Sequence, residues 1–405
     1  MTTTTRPTLD QSLAAKILSQ FPDHHIVPRE AISGGRSGAP VWLVRIEGAH
    51  FNGFAYAKFD TPERCAQQVE KHLLARIPAM EPYIPAILKP AVQSPVMNPV
   101  EGWSAVLYEA AQGDVHGAAS LAKLIEDDQC APAAIAAQIK LLVEKALAVW
   151  HRTDAIETHD LSIPEVITQL MTVDGDDKTI GLEERLQRYG FAGSEHRKLN
   201  FLLLDITTPN PVGYIAKRDW WRKKQAAGGE TPYLKLSLPM CPAHGDLHAE
   251  NIMCALERGK PIQSPPQMID LVLHERERPP FYDLAYLELD ILLRCLKARP
   301  EEPQDWTDWV RMTEFLSRAV LPEGNPEGKE PTHAWTLIKP IREGVNRILE
   351  KPGMRAEFSR AWWLSAAVVG ALVTRRSRME KLPGERKATM LYAGRCLHNL
   401  IRAHV

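Results

Sequence analysis

The residues best suited to chemistry lie in one short stretch, Ala243 to Met253, where an aspartate and an asparagine are five positions apart. The stretch reads AHGDLHAENIM, and its polar, glycine-containing start predicts a loop. Nineteen residues beyond Asn251, an apolar run ends at Asp270. A carboxylate, an amide oxygen and a second carboxylate in this order can orient a hydroxyl, hold magnesium and so move a phosphoryl group.

Each of these side chains has its own place in that chemistry. Asp246 can orient an attacking hydroxyl and accept its proton, while Asn251 and Asp270 can supply oxygen ligands to one magnesium ion. A lone loop aspartate is usually a cap or turn residue, but the combined pattern is more specific. His244 and His248 have HxxxH spacing, yet no third ligand stands at a useful spacing. We therefore predict that His244 forms a hydrogen bond with the backbone and holds the loop, and that it is not a metal ligand.

Composition sets broad limits on the protein class. The chain has 405 residues, which is too long for one small domain, and 44% of them are hydrophobic, as in ordinary globular proteins. Its net charge of -1 argues against a nucleic-acid ligand. The six cysteines are scattered without a CxxC pair, which favours a reduced, cytoplasmic setting. No apolar leader opens the sequence, and the apolar stretch at 361–373 is too short to cross a bilayer, so we expect no membrane contact.

Periodicity predicts an α+β chain whose first third is rich in strands and whose remainder is mostly helical. We expect an N-terminal tail and helix over 1–25, a small nucleotide-binding unit of sheet and helix over 26–112, and a helical part over 113–405. Within the helical part, 155–240 is less regular and is interpreted as an insertion, and 243–253 is the candidate catalytic loop.

The small unit contains a second set of candidate residues. The glycine-rich sequence SGGRSGA occupies positions 33–39 between two strand-like segments, and turns of this kind let backbone amides approach phosphate. Taken alone, this sequence is more typical of a plain hairpin turn. Lys58 follows at the end of a third predicted strand. The next predicted helix begins with Thr61-Pro62 and carries Glu70, which we favour over Glu63 as the carboxylate that braces the lysine.

Together these motifs resemble the aminoglycoside phosphotransferase and choline kinase group, within the protein-kinase-like fold. The matching elements are the GGRSGA turn, Lys58, Glu70, the HGDLHAEN loop, Ile269-Asp270-Leu271 and the FYDLA sequence at 281–285. The resemblance covers roughly residues 26 to 300. It implies a two-lobed fold with a small antiparallel-sheet N-lobe and a large, mostly helical C-lobe.

The resemblance also implies roles for individual residues. Asp246 would be the catalytic base, with Asn251 and Asp270 binding Mg²⁺, and His244 and Asp283 would be structural. The residues expected to bind ATP or GTP are Gly34, Gly35, Arg36, Ser37, Gly38, Lys58, Glu70, Tyr108, Glu109 and Ala110. The segment Leu107-Tyr108-Glu109-Ala110 would be the hinge whose backbone meets adenine. The acceptor would be a hydroxyl group of a small molecule.

Some features depart from the resemblance and keep alternatives open. Leu271-Val272 stands where protein kinases have Phe-Gly, and no Ala-Pro-Glu element follows. The long segment before His244 resembles insertions in bacterial kinase-like signalling and conflict-system proteins, including ternary-complex-associated domains. A nucleotide-binding signalling module or pseudokinase with a protein partner, and a nucleotidyl transferase, are therefore the alternative functions. Glu288 and Asp290 could meet a cationic acceptor, face solvent or pair with Arg294.

Overall fold

The computed structural model of the chain describes residues 8–21, 24–32, 39–48, 51–88, 99–111, 117–150, 158–173, 176–201, 204–226, 235–296, 306–350, 355–374 and 383–402. The chain divides into two compact units. The first, which we call the sheet unit, comprises Met1–Ser120 and Asn251–His274, and the second, the helical unit, comprises Leu121–Glu250 and Glu275–Val405. The α+β class predicted from periodicity is confirmed.

Strands occur mainly in the first two thirds of the chain, and the long helices come last. The described strands are β1 (His24–Ile32), β2 (Val41–Gly48), β3 (Asn52–Asp60), β4 (Ser104–Glu109), β5 (Ala118–Ser120), β6 (Thr158–Ser162), β7 (Thr172–Val173), β8 (Asp176–Asp177), β9 (Lys198–Phe201), β10 (Ile206–Pro209), β11 (Lys235–Pro239), β12 (Cys241–Ala243), β13 (Ile252–Glu257), β14 (Lys260–Pro261), β15 (Gln267–Met268) and β16 (Glu275–Arg278). The described α-helices are α1 (Gln11–Leu18), α2 (Pro62–Ala75), α3 (Leu121–Glu126), α4 (Pro132–Leu141), α5 (Ala148–Trp150), α6 (Ile163–Met171), α7 (Leu182–Arg188), α8 (Asp219–Ala226), α9 (Tyr282–Cys295), α10 (Thr307–Leu316), α11 (Lys329–Leu349), α12 (Arg355–Thr374) and α13 (Pro383–Arg402).

The sheet unit is built on an antiparallel sheet in the order β1-β2-β3-β4. Alternation along the strands divides the side chains between two faces, because successive residues of a strand point to opposite sides. Val44, Ala57 and Leu107 belong to the core that includes α1. Lys58 is paired with Val106 in the register of β3 and β4, and Val106 packs in the core on the α2 side. The sheet therefore places Lys58 on the face that α2 covers.

Helix α2 begins where the sequence predicts. Thr61 is its N-cap and accepts a hydrogen bond from the Arg64 amide, and a proline follows at the first helical position. The buried side chains of α2 recur at the three- and four-residue spacing of one helix face. They are Cys65, Gln68, Val69, His72 and Ala75.

A hairpin adds the later segment of chain to the sheet unit. Strand β13 pairs antiparallel with β15 and β14, and also with β5. The unit reaches Ser120 at the end of β5, and it includes Asn251–His274 together with β1 to β4. The turn at Leu271–Leu273 packs against α2. The boundary between the two units thus falls inside the candidate loop, after Glu250.

The helical unit is organised around α9, which packs against α11 and α12. Helices α12 and α13 lie closely side by side. A Cβ atom added at Gly370 would stand 2.8 Å from the Ala393 methyl and 3.0 Å from the Thr389 carbonyl oxygen, so this contact requires glycine. Among the described residues of this unit, the five most deeply buried tryptophans are at positions 150, 221, 309, 335 and 362.

The predicted elements differ from the structure in detail. The helix predicted over 131–150 changes to a π-helical turn at Leu142–Leu147 between α4 and α5. In the segment at 199–206, predicted as a strand or a buried helix, residues 199–201 belong to β9 and Ile206 begins β10, which pairs antiparallel with β9. None of the described helices combines the length and apolarity needed to cross a bilayer.

The buried His72 predicts a dependence of stability on acidity. Burial lowers its pKa from 6.5 to about 4, although its hydrogen bond with the Pro85 carbonyl oxygen, 2.7 Å away, partly opposes this. Because the folded pKa lies below the unfolded value, the unfolded chain takes up the proton first as the pH falls. The contribution of His72 to the free energy of unfolding is therefore fully present above about pH 6.5 and is lost as the pH falls toward 4. The expected loss is about 3 kcal/mol.

Chemical denaturation at pH 7 and pH 4.5 measures this loss. The His72→Gln variant keeps an amide that can donate to Pro85 but does not titrate, so its free energy of unfolding should change less between the two pH values than that of the wild type. His25→Gln removes an exposed histidine of the same unit and serves as the control. Equal pH dependence in the wild type and His72→Gln would show that His72 is not the group responsible.

Candidate functional site

In the helical unit, the loop that contains Asp246 is fixed at its beginning by a buried carboxylate. Asp283 lies in the first turn of α9 and is fully buried. Its two oxygens accept hydrogen bonds from the His244 amide at 2.7 Å and the Gly245 amide at 3.0 Å. Gly245 has a φ of 82°, a left-handed conformation that glycine adopts without strain. The turn that precedes Asp246 is therefore fixed by the backbone conformation of Gly245 and by hydrogen bonds to Asp283 of α9.

The His244 ring reinforces the same turn. It is fully buried, and its Nδ1 accepts a hydrogen bond from the Asp246 amide at 3.3 Å. An accepting Nδ1 places the ring proton on Nε2 when the imidazole is neutral. Among the residues the structure describes, no three His, Cys, Asp or Glu side chains are grouped as ligands for one metal ion. The geometry of His244 is that of a loop-bracing residue.

The Asp246 carboxylate has a neighbour at each oxygen. The Tyr286 hydroxyl donates to Oδ1 at 2.9 Å, and His248 Nε2 lies 3.5 Å from Oδ2. His248 and Tyr286 are almost completely buried, whereas 23% of the Asp246 side chain stays exposed. Asp246 thus combines a fixed orientation with access to solvent, which a general base for an incoming hydroxyl requires.

Farther along α9, a charged cluster holds the end of the loop. Asp290 accepts hydrogen bonds from the Ala249 amide and from Arg294 Nε, both at 2.9 Å, and Arg294 also pairs with Glu250 and Glu126. Burial alone would lower the pKa of Arg294, but the carboxylates of Asp290 and Glu250 outweigh it and hold the pKa above its ordinary value. Asp290 is therefore engaged inside the protein.

Glu288 is also engaged. Its carboxylate forms a buried ion pair with both Nε and Nη2 of Arg342, and the Tyr392 hydroxyl donates to it at 2.7 Å. Arg342 Nη1 donates to the Val320 carbonyl oxygen at 2.9 Å. Both acidic residues considered for a cationic acceptor are thus matched by arginines of this chain.

In the sheet unit, the β13–β15 hairpin brings Asn251 and Asp270 together although nineteen positions separate them. Ile252 pairs with Met268, and the Ile269 amide donates to the Asn251 carbonyl oxygen at 3.0 Å. Asp270 is the next residue along the chain. An amide oxygen and a carboxylate at the end of one strand pair are a suitable donor set for magnesium.

Asp270 is paired with the predicted lysine. Lys58 Nζ lies 2.8 Å from Asp270 Oδ1, and only 11% of the lysine side chain is exposed. Asp270 has a φ of 60°, a left-handed conformation that costs energy in residues other than glycine and that aspartate tolerates better than most. The turn after β15 therefore directs the Asp270 carboxylate toward the end of β3.

The predicted brace from Glu70 requires correction. Glu70 is exposed, and among the described residues it forms no ion pair or hydrogen bond with Lys58. On α2, Glu70 is rotated by about 200° from both Gln68 and His72, which belong to the buried face. Glu63, the alternative, is also exposed. Lys58 is balanced by Asp270 instead.

The predicted hinge is only partly available for a nucleotide. The Glu109 amide donates to the Ala86 carbonyl oxygen at 2.9 Å, so this amide is already used, whereas Ala110 follows the end of the strand. The Tyr108 hydroxyl donates to Gln68 at 3.3 Å. Burial raises the pKa of Tyr108 well above its usual range, and the Asp270 charge adds to this.

Gly34, Gly35, Arg36, Ser37 and Gly38 lie outside the described residues.

The residues that sequence reasoning missed lie on one face of α9. Tyr286 was not identified, and the contact of Asp290 with the loop was not foreseen. The signal was their spacing: positions 283, 286, 290 and 294 recur every three or four residues in a largely apolar helix, which places their side chains on a common face.

Removing the Asp283 carboxylate should release the loop. Asp283→Ala leaves the His244 and Gly245 amides without their acceptor, at a cost of about 1 to 3 kcal/mol for each buried group. We expect faster amide hydrogen exchange in a peptide covering 243–250, measured by mass spectrometry. Asp160→Asn changes an exposed aspartate of β6 and should leave that peptide unchanged. Unaltered exchange in a folded Asp283→Ala protein would contradict the bracing role.

Comparison with known proteins gives similarity in structure only: no family model and no curated protein matches the chain. The GDP complex of an aminoglycoside 2'-phosphotransferase mutant is 13% identical, with a TM-score of 0.42 over 98% of this chain and 100% of that one. A spectinomycin phosphotransferase in complex with ADP and spectinomycin is 10% identical, with a TM-score of 0.36 over 98% and 99%. A choline kinase from Cryptosporidium parvum is 10% identical, with a TM-score of 0.41 over 94% and 90%.

Proposed function

We propose that this chain is a magnesium-dependent phosphotransferase that uses ATP or GTP to phosphorylate a hydroxyl group of a small molecule. The observation that carries the proposal is the β13–β15 hairpin, which sets Asn251 beside Asp270, with Lys58 paired to that carboxylate. Asp246 precedes Asn251 by only five positions in the chain. These side chains support the proposal, because phosphoryl transfer uses oxygen ligands such as Asn251 and Asp270, a phosphate-binding cation such as Lys58 and a carboxylate base such as Asp246.

In the proposed reaction, Asp246 receives a proton. The acceptor hydroxyl gives its proton to the Asp246 carboxylate while its oxygen bonds to the γ-phosphorus. The bond from that phosphorus to the bridging oxygen breaks, and the nucleoside diphosphate leaves with the electron pair. The braced turn at His244 and Gly245 supports this role, because a base that is already oriented needs little reorganisation during the reaction.

At the nucleotide end, Asn251 and Asp270 would hold magnesium, and Lys58 would bind phosphate oxygens. The ion would neutralise negative charge on the phosphates. Lys58 is almost buried and is now balanced by Asp270, so nucleotide binding would exchange this partner for a phosphate. The glycine-rich turn at 34–38 and the backbone at Ala110 would complete the nucleotide site. The proposed setting is the cytoplasm, as the cysteine pattern suggests.

A second candidate function is a nucleotide-binding signalling module that does not transfer phosphate. The observation that favours it is that Glu70 lies on the exposed side of α2. Among the described residues, no carboxylate from this helix reaches Lys58. Incubation with ATP or GTP, magnesium and a broad set of hydroxyl compounds separates the possibilities. Mass spectrometry of the products distinguishes an added phosphate, an added nucleotide and no change.

The first test of the leading proposal removes the base. Asp246→Ala and Asp246→Asn should lower transfer in that assay by about 100-fold to 10,000-fold, the usual contribution of a positioned general base. Release of nucleoside diphosphate measures the transfer rate. Nucleotide binding should persist in both variants. Asp160→Asn is the matched surface control. Wild-type turnover in Asp246→Ala would exclude Asp246 as the base.

The second test concerns the metal ligands. We expect nucleotide with magnesium to raise the melting temperature more than nucleotide with a chelator, because a ligand bound only by the folded state stabilises it, by about 2.7 kcal/mol at 100 times its Kd. Asp270→Asn should remove most of the magnesium-dependent increment. Glu257→Gln, which changes an exposed carboxylate on β13, should keep it. An unchanged increment in Asp270→Asn would contradict the assignment of Asp270.

A further inference from the structure

One face of α9 contacts the loop at four successive points. Asp283 binds the amides at the start of the loop, Tyr286 binds the Asp246 side chain, Asp290 binds the Ala249 amide and Arg294 binds Glu250. Three of these helix residues hold backbone or flanking side chains. Tyr286 contacts the carboxylate of the proposed base itself.

The Tyr286 side chain has little freedom to move away from this contact. It is 3% exposed, and its ring stacks on that of Tyr282 with centroids 6.1 Å apart and an interplanar angle of 24°. The His248 ring lies on another side, 6.3 Å away between centroids. A rigid phenol that donates to a partly exposed carboxylate fixes the rotation of that carboxylate without enclosing it.

The two oxygens of Asp246 are consequently unequal. Oδ1 accepts the Tyr286 hydroxyl proton at 2.9 Å, within the normal range for a hydrogen bond. Oδ2 lies 3.5 Å from His248 Nε2, a looser contact. The buried His248 is held by its own backbone, since its amide donates to the Asp246 carbonyl oxygen at 2.9 Å. The Tyr286 hydrogen bond is thus the shorter of these two contacts, and it sets the rotation of the Asp246 carboxylate.

We infer that Tyr286 is a positioning residue for the phosphotransferase reaction: its hydroxyl binds Asp246 Oδ1 and thereby holds the carboxylate in one orientation. This inference depends on the proposed function. In the step, the acceptor proton moves to the Asp246 carboxylate as the acceptor oxygen bonds to phosphorus, and Asp246 becomes a neutral carboxylic acid. Tyr286 keeps its proton throughout. Its hydrogen bond acts only on the orientation of the base.

Tyr286→Phe tests the inference because it removes the hydroxyl and keeps the ring. We expect kcat for phosphoryl transfer to fall by about 10-fold, the effect of losing one hydrogen bond to a charged group. The KM for the nucleotide should stay unchanged, and circular dichroism should show a folded protein. Tyr214→Phe removes a hydroxyl from another buried tyrosine of the same unit and should keep the wild-type kcat. In an Asp246→Asn background, Tyr286→Phe should cause no further loss.

A separate measurement follows the carboxylate directly. In protein labelled with ¹³C at the aspartate carboxyl carbons, the Asp246 signal is the one lost in Asp246→Asn. Tyr286→Phe should move this signal at neutral pH, and Tyr214→Phe should not. An unmoved signal overturns the contact. A moved signal with unchanged kcat overturns the positioning role while the proposed function stands. A moved signal without transfer by any wild-type preparation overturns the proposed function and, with it, the role of Tyr286.

Discussion

The arrangement around Asp246 depends on the buried carboxylate of Asp283. A charge without solvent contact is costly unless its oxygens are hydrogen-bonded, and Asp283 meets this condition with the His244 and Gly245 amides. Its position in the first turn of α9 also favours negative charge, because the unpaired amides of a helix N-terminus are partly positive. Once the loop is fixed there, the later side chains of the same helix face meet successive loop residues.

The opposite face of α9 is fixed by a second buried charge. Glu288 is rotated by about 200° from Tyr286 and Asp290, and it pairs with Arg342 from α11 and Tyr392 from α13. Burial would by itself lower the pKa of Arg342, but the Glu288 charge raises it. Such a pair adds little net stability, yet it disfavours other rotations of the helix, since these would leave a charge unpaired in the core. The rotation that satisfies Glu288 also turns Tyr286 toward the loop.

Sequence patterns predicted the parts of the fold that depend on local geometry. The Thr61 cap, the strand that ends near Lys58 and the helix at 11–18 follow from residue spacing and from known cap chemistry. The error at Glu70 came from choosing a carboxylate by its depth in the helix. The buried positions Cys65 and His72 define the inward face of α2, and that pattern already directs Glu70 away from the sheet.

The contacts between loop and helix could be predicted only in part. Polar residues at 283, 286, 290 and 294 within an apolar helix indicate that one face meets a polar partner. The sequence does not show which segment that partner is, because the contacts join residues 38 to 44 positions apart through intervening strands. The nearly constant separation is itself informative: loop and helix run in the same direction, so each turn of α9 meets the next part of the loop. A substitution that shifts α9 along its axis would therefore disturb the bracing of His244, Asp246 and Ala249 together.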